Sequence, residues 1–134
     1  ADILYRNTDG RIAMWLMNGL ALTSGAGLLD ANSGWSVTHV GDFNGDGKAD
    51  ILYRNTDGRI AMWLMNGLAL TSGAGLLDAN SGWSVTHVGD FNGDGKADIL
   101  YRNTDGRIAM WLMNGLSLTS GAGLTGPGTL KVVP

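Results

Sequence analysis

Hydrophobic and polar residues alternate along several short segments of this chain, and turn-forming residues separate the segments. Alternation with a period of two is typical of β-strands, and Asp-Gly or Asn-Gly between two such segments is typical of a tight hairpin. An Asp-Gly pair ends the turn at residues 55–58, and Asn66-Gly67 follows as a two-residue hairpin. The pattern predicts four antiparallel strands at residues 35–40, 51–54, 59–65 and 68–72.

The third predicted strand, RIAMWLM, also contains residues that favour helices. We favour a strand over a short helix because the segment is brief and lies between Asp-Gly and Asn-Gly. A strand that is apolar on both faces must be covered on both sides. This strand is of that kind, with Ile60, Met62 and Leu64 on one face and Ala61, Trp63 and Met65 on the other.

The chain is an internal repeat with a period of 48 residues. Residues 1–48 and 49–96 are identical, and the third copy first differs at Ser117. Such identity indicates a recent duplication or a design. A repeated four-stranded antiparallel unit of this length, apolar on both faces, is typical of a propeller blade, because each blade buries both faces against its neighbours. A β-solenoid would need shorter rungs and is a distant alternative.

We therefore expect an all-β fold, a β-propeller of four-stranded antiparallel blades with three blades in the chain. Residues 1–32 supply strands two to four of a shared blade, 33–80 the second blade and 81–124 the third, and residues 125–134 supply strand one of a shared blade. Propellers typically have about four to eight blades. We therefore expect closure by oligomerisation: a homodimer with six blades is favoured over a trimer with nine. Strand one would pair with strand two of a neighbouring chain.

Composition narrows the classes of function. All 12 acidic residues are Asp, and there are 22 Gly, which favours turns and loops over helices. The chain has no Cys, which excludes thiolate metal sites, and its net charge of −3 without a basic run argues against nucleic acid. No apolar run approaches the roughly 20 residues of a membrane helix. No catalytic constellation is visible, so we expect no enzyme; a hydrolase is a remote alternative.

The segment DFNGDGKAD occurs twice, and we name its copies the first Asp loop (residues 42–50) and the second Asp loop (residues 90–98). Oxygen donors on alternate residues of a tight loop can converge on one cation. A turn without an ion is the alternative, but it would leave three carboxylates close together and repelling one another. The donors are Asp42, Asn44, Asp46 and Asp50 in the first loop and Asp90, Asn92, Asp94 and Asp98 in the second.

The donor set predicts Ca²⁺ as the cofactor. Oxygen-only ligands disfavour zinc and copper, and the size of the loop favours calcium over magnesium. An EF-hand needs Glu at position twelve of its loop, where this chain has Tyr53 in a predicted strand. An EF-hand is therefore excluded.

The segment GDFNGDGKADILYRNTDGRIAMWLMNG resembles the FG-GAP/VCBS repeat, the calcium-binding blade of integrin-like propellers and of many secreted bacterial proteins. The resemblance covers nearly the whole chain, and the loop, strand two, turn and strand three match in order. It implies that the backbone carbonyls of Lys48 and Lys96 complete the calcium sites. It also implies an extracellular or cell-surface location. Related blades build a propeller lectin of a Psathyrella mushroom.

Two functions follow as expectations. The first is a non-catalytic scaffold for adhesion or interaction, with calcium in a structural role. The alternative is a lectin with sugar pockets between blades, for which the best cluster is Trp35, Trp83, Asn80 and Ser81. Both Trp residues begin the first strand of a unit near a loop edge, where a ligand could reach them, although a place in the apolar core is favoured for each.

Overall fold

A computed structural model of the chain describes residues 3–125, which form three antiparallel sheets and contain no helix. Sheet 1 has the order β1-β2-β3, sheet 2 has β4-β5-β6-β7, and sheet 3 has β11-β10-β9-β8. The predicted all-β class and the four-stranded antiparallel unit are confirmed. The strands are β1 Ile3–Arg6, β2 Ile12–Asn18, β3 Ala21–Leu29, β4 Trp35–Gly41, β5 Asp50–Asn55, β6 Ile60–Asn66, β7 Ala69–Leu77, β8 Trp83–Gly89, β9 Asp98–Asn103, β10 Ile108–Asn114 and β11 Ser117–Thr125.

The fourth strand of the repeat is longer than the sequence pattern predicted. We expected it to end at residue 72, whereas β7 continues to Leu77. Gly73, just beyond the predicted end of the strand, lies against the indole of Trp63. A Cβ atom on Gly73 would be 2.9 Å from Cδ1 of Trp63, closer than such atoms approach. The glycine therefore lets the strand pass the indole without ending the ladder.

The hairpin between the third and fourth strands is shifted by one residue from the prediction. Asn66 pairs with Ala69, so the two connecting residues are Gly67 and Leu68 rather than Asn66 and Gly67. Gly67 has a φ of 61°, and Leu68 is not among the residues of positive φ. A two-residue turn of this type has a positive φ only at its first central residue. It therefore needs glycine at the first position and accepts leucine at the second.

The three sheets pack face to face through two apolar layers. Leu52 and Met62 of sheet 2 belong to a buried cluster with residues of sheet 3. Ile51, Tyr53 and Met65 of the same sheet belong to a second cluster, shared with sheet 1. The alternation along each strand thus sends neighbouring residues into different layers. Both faces of sheet 2 are covered, as its apolar residues on both faces require.

The first strands of sheets 2 and 3 lie next to each other, as the inner strands of adjacent blades would. The prediction that residues 125–134 supply strand one of a shared blade, paired with another chain, falls outside the described residues beyond Thr125. Ring closure therefore stays a prediction. Within residues 3–125, no helix has the length and hydropathy of a membrane span.

Candidate metal centre

The first Asp of each Asp loop shapes the loop through its carboxylate. In the second loop, Oδ1 of Asp90 accepts hydrogen bonds from the N–H groups of Gly93 at 2.8 Å and Asp94 at 3.2 Å. Oδ2 of Asp90 accepts one from Gly95 N–H at 2.8 Å. Gly93 and Gly95 have φ values of 75° and 83°, which glycine adopts without strain. The chain thereby wraps around one carboxylate, and Asp42 has the same bonds in the first loop.

The last Asp of each loop is buried and joins the loop to the sheet. Asp98 is fully buried at the start of β9. Its Oδ2 accepts a hydrogen bond from Phe91 N–H at 3.0 Å, and its Oδ1 accepts one from Met113 N–H at 2.9 Å. Asp50 has the equivalent two bonds in the first loop. One carboxylate therefore holds the start of its loop and the end of the third strand of its sheet.

Three carboxylates of the second Asp loop converge. Asp90, Asp94 and Asp98 each place a carboxylate oxygen within 4.8 Å of the other two. Calcium binds oxygen at about 2.3–2.6 Å, so ligands on opposite sides of one ion are separated by about this spacing. Among the described residues, the second loop meets this spacing and the first does not. The donors present therefore fit a hard cation.

The electrostatics of the loops depend on where each carboxylate lies. Burial is the main cause that raises the pKa of Asp50, and the nearby Asp46 and Asp42 raise it further, while two backbone N–H groups oppose the change. The pKa of the exposed Asp90 is lowered, chiefly by the N–H group of Gly95. Charge is thus disfavoured at the last position of the first loop, where a cation would offset the cost, and stabilised at the first position of the second loop.

The other predicted ligands of the two loops are the Asn side chains and the Lys carbonyls, and they do not belong to the cluster of three carboxylates. Oδ1 of Asn44 accepts a hydrogen bond from Asp46 N–H at 3.3 Å, and Asn92 is exposed. Lys48 and Lys96 each donate their N–H to the Asp two residues earlier, at 2.8 and 2.9 Å. The use of their carbonyls as ligands stays a prediction.

Phe43, at the second position of the first Asp loop, is a contact that the sequence analysis missed. Its side chain is fully buried in the cluster between sheets 2 and 3. The loop also bonds to sheet 3, because the carbonyls of Asp42 and Phe43 accept hydrogen bonds from the N–H groups of Ala97 and Gly115, both at 2.7 Å. The sequence does contain a signal for this contact: a large apolar residue inside an otherwise polar turn.

The predicted sugar cluster is partly assembled at the junction of sheets 2 and 3. A cavity of about 620 Å³ there is lined by Trp35, Ser81 and Trp83, among others. Arg59 and Asp78, which the sequence analysis did not single out, also line it. The guanidinium of Arg59 lies 5.1 Å from the ring centroid of Trp35 and therefore covers part of its face.

Asn80, the fourth residue of the predicted cluster, has a backbone role. It has a φ of 61°, one of two non-glycine residues with positive φ in the described chain. Its N–H donates a hydrogen bond to the carbonyl of Asp57 at 3.0 Å, which ties the loop before sheet 3 to a turn of sheet 2. Asn80 is not part of the cavity lining.

These features define a repeat protein of antiparallel four-stranded sheets with an Asp-rich loop between the first two strands. A model of the FG-GAP-like repeat matches residues 1–53 and 42–101, and a model of the FG-GAP repeat matches residues 81–126. The chain belongs to the FG-GAP repeat family. Comparison with curated proteins and with solved structures gives no significant match.

Proposed function

We propose that this protein is a calcium-binding propeller module that acts as a non-catalytic structural or interaction scaffold outside the cell. The observation that carries the proposal is the convergence of Asp90, Asp94 and Asp98 within 4.8 Å. Membership of the FG-GAP repeat family supports it, because blades of this family commonly bind calcium and serve as binding or structural modules.

In this proposal the chain's own residues preform the loop. Asp90 holds the turn through three backbone N–H groups, and Asp98 fixes the loop to β10. Asp94 is exposed and is left to close the site from the solvent side. A bound calcium ion would supply positive charge that offsets the repulsion among these carboxylates. Its role is to hold the loop, and with it the contact between neighbouring sheets.

Removal of calcium is expected to lower the stability of the protein. An affinity typical of extracellular modules gives about 0.4–1.4 kcal/mol per site at millimolar calcium. With two Asp loops, an excess of chelator should lower Tm by ~3–10 °C. Scanning calorimetry with and without chelator measures this shift, and titration calorimetry measures binding directly. No heat of binding together with an unchanged Tm would refute the calcium site.

Two isosteric variants separate ion binding from general charge effects. Asp94→Asn removes a carboxylate of the triad without touching the buried Asp98, so it should weaken calcium binding and reduce the calcium-dependent rise in Tm. Asp30→Asn makes the same chemical change at an exposed residue outside both loops. It should keep the full calcium response, and equal losses in the two variants would contradict the assignment.

A lectin is the second candidate function, favoured by the cavity between sheets 2 and 3. Sugar binding needs an apolar face together with hydrogen-bonding groups that fix orientation. The cavity offers the rings of Trp35 and Trp83 together with Arg59, Asp78 and Ser81. Arg59 covers part of the Trp35 ring and Arg107 part of the Trp83 ring. The guanidinium of Arg59 and the carboxylate of Asp78 would therefore provide the main polar contacts to sugar hydroxyls.

A glycan array tests the lectin proposal. Binding of one sugar class is expected, and Asp78→Asn should weaken it by about tenfold or more, as loss of a charged hydrogen-bond partner does. Asp9→Asn is the matched control, because Asp9 is exposed in a turn and neither it nor its ion-pair partner Arg11 is part of the cavity lining. Silence across the array from a folded, calcium-binding protein would exclude the lectin and leave the scaffold.

A further inference from the structure

The two ends of the described chain differ in burial from its middle, although the repeats are nearly identical. We name the uncovered side of sheet 1 the open face, defined by Ile3, Tyr5 and Trp15. Tyr5 is 41% exposed, whereas its repeat counterparts Tyr53 and Tyr101 are 1% exposed. These two tyrosines are covered by the preceding sheet. Sheet 1 has no such sheet within residues 3–125.

The opposite end of the molecule shows the complementary difference. Phe91 of the second Asp loop is 45% exposed, whereas Phe43 of the first loop is fully buried against sheet 3. The two loops have the same sequence and matching hydrogen bonds around their first Asp. The difference in burial therefore comes from the sheet that follows the first loop and not from the loop itself.

The contact between sheets 2 and 3 shows which kind of surface would pack on the open face of sheet 1 and which would pack on the outer side of sheet 3. Tyr101 and Ile99 of sheet 3 belong to one buried cluster with residues of sheet 2. The open face has the same residues at the same repeat positions, in Tyr5 and Ile3. Sheet 3 in turn carries repeat counterparts of residues that sheet 2 contributes: Phe91 and Met110 correspond to Phe43 and Met62. Phe91 is exposed and Met110 half-buried, whereas Leu100 and Ile108, the counterparts of Leu52 and Ile60, are already buried in the single chain.

The junction of sheets 1 and 2 shows how much space the phenylalanine of an Asp loop fills between two sheets. A cavity of about 670 Å³ lies there, and its lining includes Val40 and Ala49. These residues are the repeat counterparts of Val88 and Ala97, which pack in the cluster with Phe43 at the next junction. Where no such loop is inserted, Val40 is 47% exposed. The inserted phenylalanine is thus a large part of a complete junction.

We propose that the chain binds a second copy of itself head to tail, with sheet 3 of one copy packed on the open face of sheet 1 of the other. Phe91 takes the position that Phe43 has between sheets 2 and 3. Its carbonyl accepts a hydrogen bond from Gly19 N–H, as the carbonyl of Phe43 does from Gly115. Gly19 has a φ of 59° and Gly115 one of 61°, so this hairpin already has the required shape.

This interface uses two different surfaces, so it is heterologous and continues until a ring closes. Two copies of the three described sheets would form a ring of six, within the range of about four to eight blades that propellers have. The proposal does not depend on the identity of the cation, because the hydrogen bonds that shape the second Asp loop are made by the chain itself.

Native mass spectrometry and light scattering at micromolar protein concentration, in millimolar calcium, test the proposal. The wild-type chain is expected to form a discrete oligomer. Phe91→Ser removes the inserted ring and keeps the backbone, so it should weaken assembly by at least about 30-fold, as for a central interface residue. Tyr5→Ser should do the same from the other surface. Circular dichroism must show that both variants keep the strand content of the wild type.

Mixing the two variants distinguishes a head-to-tail interface from any other. The Phe91→Ser chain keeps an intact open face, and the Tyr5→Ser chain keeps an intact Phe91. A mixture should therefore form a heterodimer with one repaired junction, although each variant alone is monomeric. A monomeric wild type would overturn the proposal. It would also be overturned if Phe91→Ser assembled like the wild type, or if the mixture stayed monomeric.

Discussion

Replacement of Phe43 by alanine is expected to lower the free energy of unfolding by about 3–5 kcal/mol, the usual cost of removing a buried aromatic ring. Phe43 is fully buried between sheets 2 and 3, where its loop is also hydrogen-bonded to Ala97 and Gly115. The variant would leave a cavity at this junction, like the one observed between sheets 1 and 2. Urea unfolding followed by tryptophan fluorescence measures the loss.

Phe91→Ala is the matched control, because it is the same substitution at the same repeat position. Phe91 is 45% exposed in the single chain, so the loss in dilute solution should stay below about 1 kcal/mol. Dilution is needed so that any contact between copies does not contribute. Similar losses for the two variants would show that the phenylalanine acts within its own loop and not through the following sheet.

Replacement of Asp50 by asparagine is expected to cost about 2–4 kcal/mol even when chelator removes any bound ion. Both carboxylate oxygens of Asp50 accept hydrogen bonds from buried N–H groups, those of Phe43 and Met65. The amide of asparagine has one acceptor oxygen, so its NH₂ group would face one of these donors. Chemical denaturation in chelator separates this structural cost from the loss of calcium.

Asp57→Asn is the control for the Asp50 variant. Asp57 is exposed and forms an ion pair with Arg59, whose Nε lies 2.8 Å from Oδ2 of Asp57. Exposed pairs contribute about 0–1 kcal/mol, so this variant should remain close to the wild type in stability. If Asp50→Asn proved equally mild, the buried carboxylate would not be the anchor between the loop and the third strand.

Much of the fold could be predicted because its signals are local. The alternation in residues 59–65 predicted a strand covered on both sides, and sheet 2 has one. The spacing of Asp90, Asp94 and Asp98 predicted convergence, and the structure brings these carboxylates together. Each of these predictions rests on residues a few positions apart in sequence, which is the range over which periodicity and turn chemistry act.

Other features could not be predicted because they depend on residues distant in sequence. The end of β7 lies beyond the expected position because Gly73 accommodates the indole of Trp63 on the adjacent strand. The second function of Asp98, as an anchor, depends on Met113 at the end of β10. The arginine over Trp35 comes from the turn that precedes β6. Local sequence patterns do not report contacts of this kind.

The sequence by itself determined the repeat, the strand pattern and the positions of the oxygen donors, because these follow from side-chain alternation and turn preferences. Only the tertiary structure decided which copies of a residue are buried. Tyr5 and Tyr53 lie in identical sequence, yet one is 41% exposed and the other 1%. The physical reason is that an apolar face of a sheet is buried only where another sheet packs against it. The sheet that packs against it belongs to a different repeat.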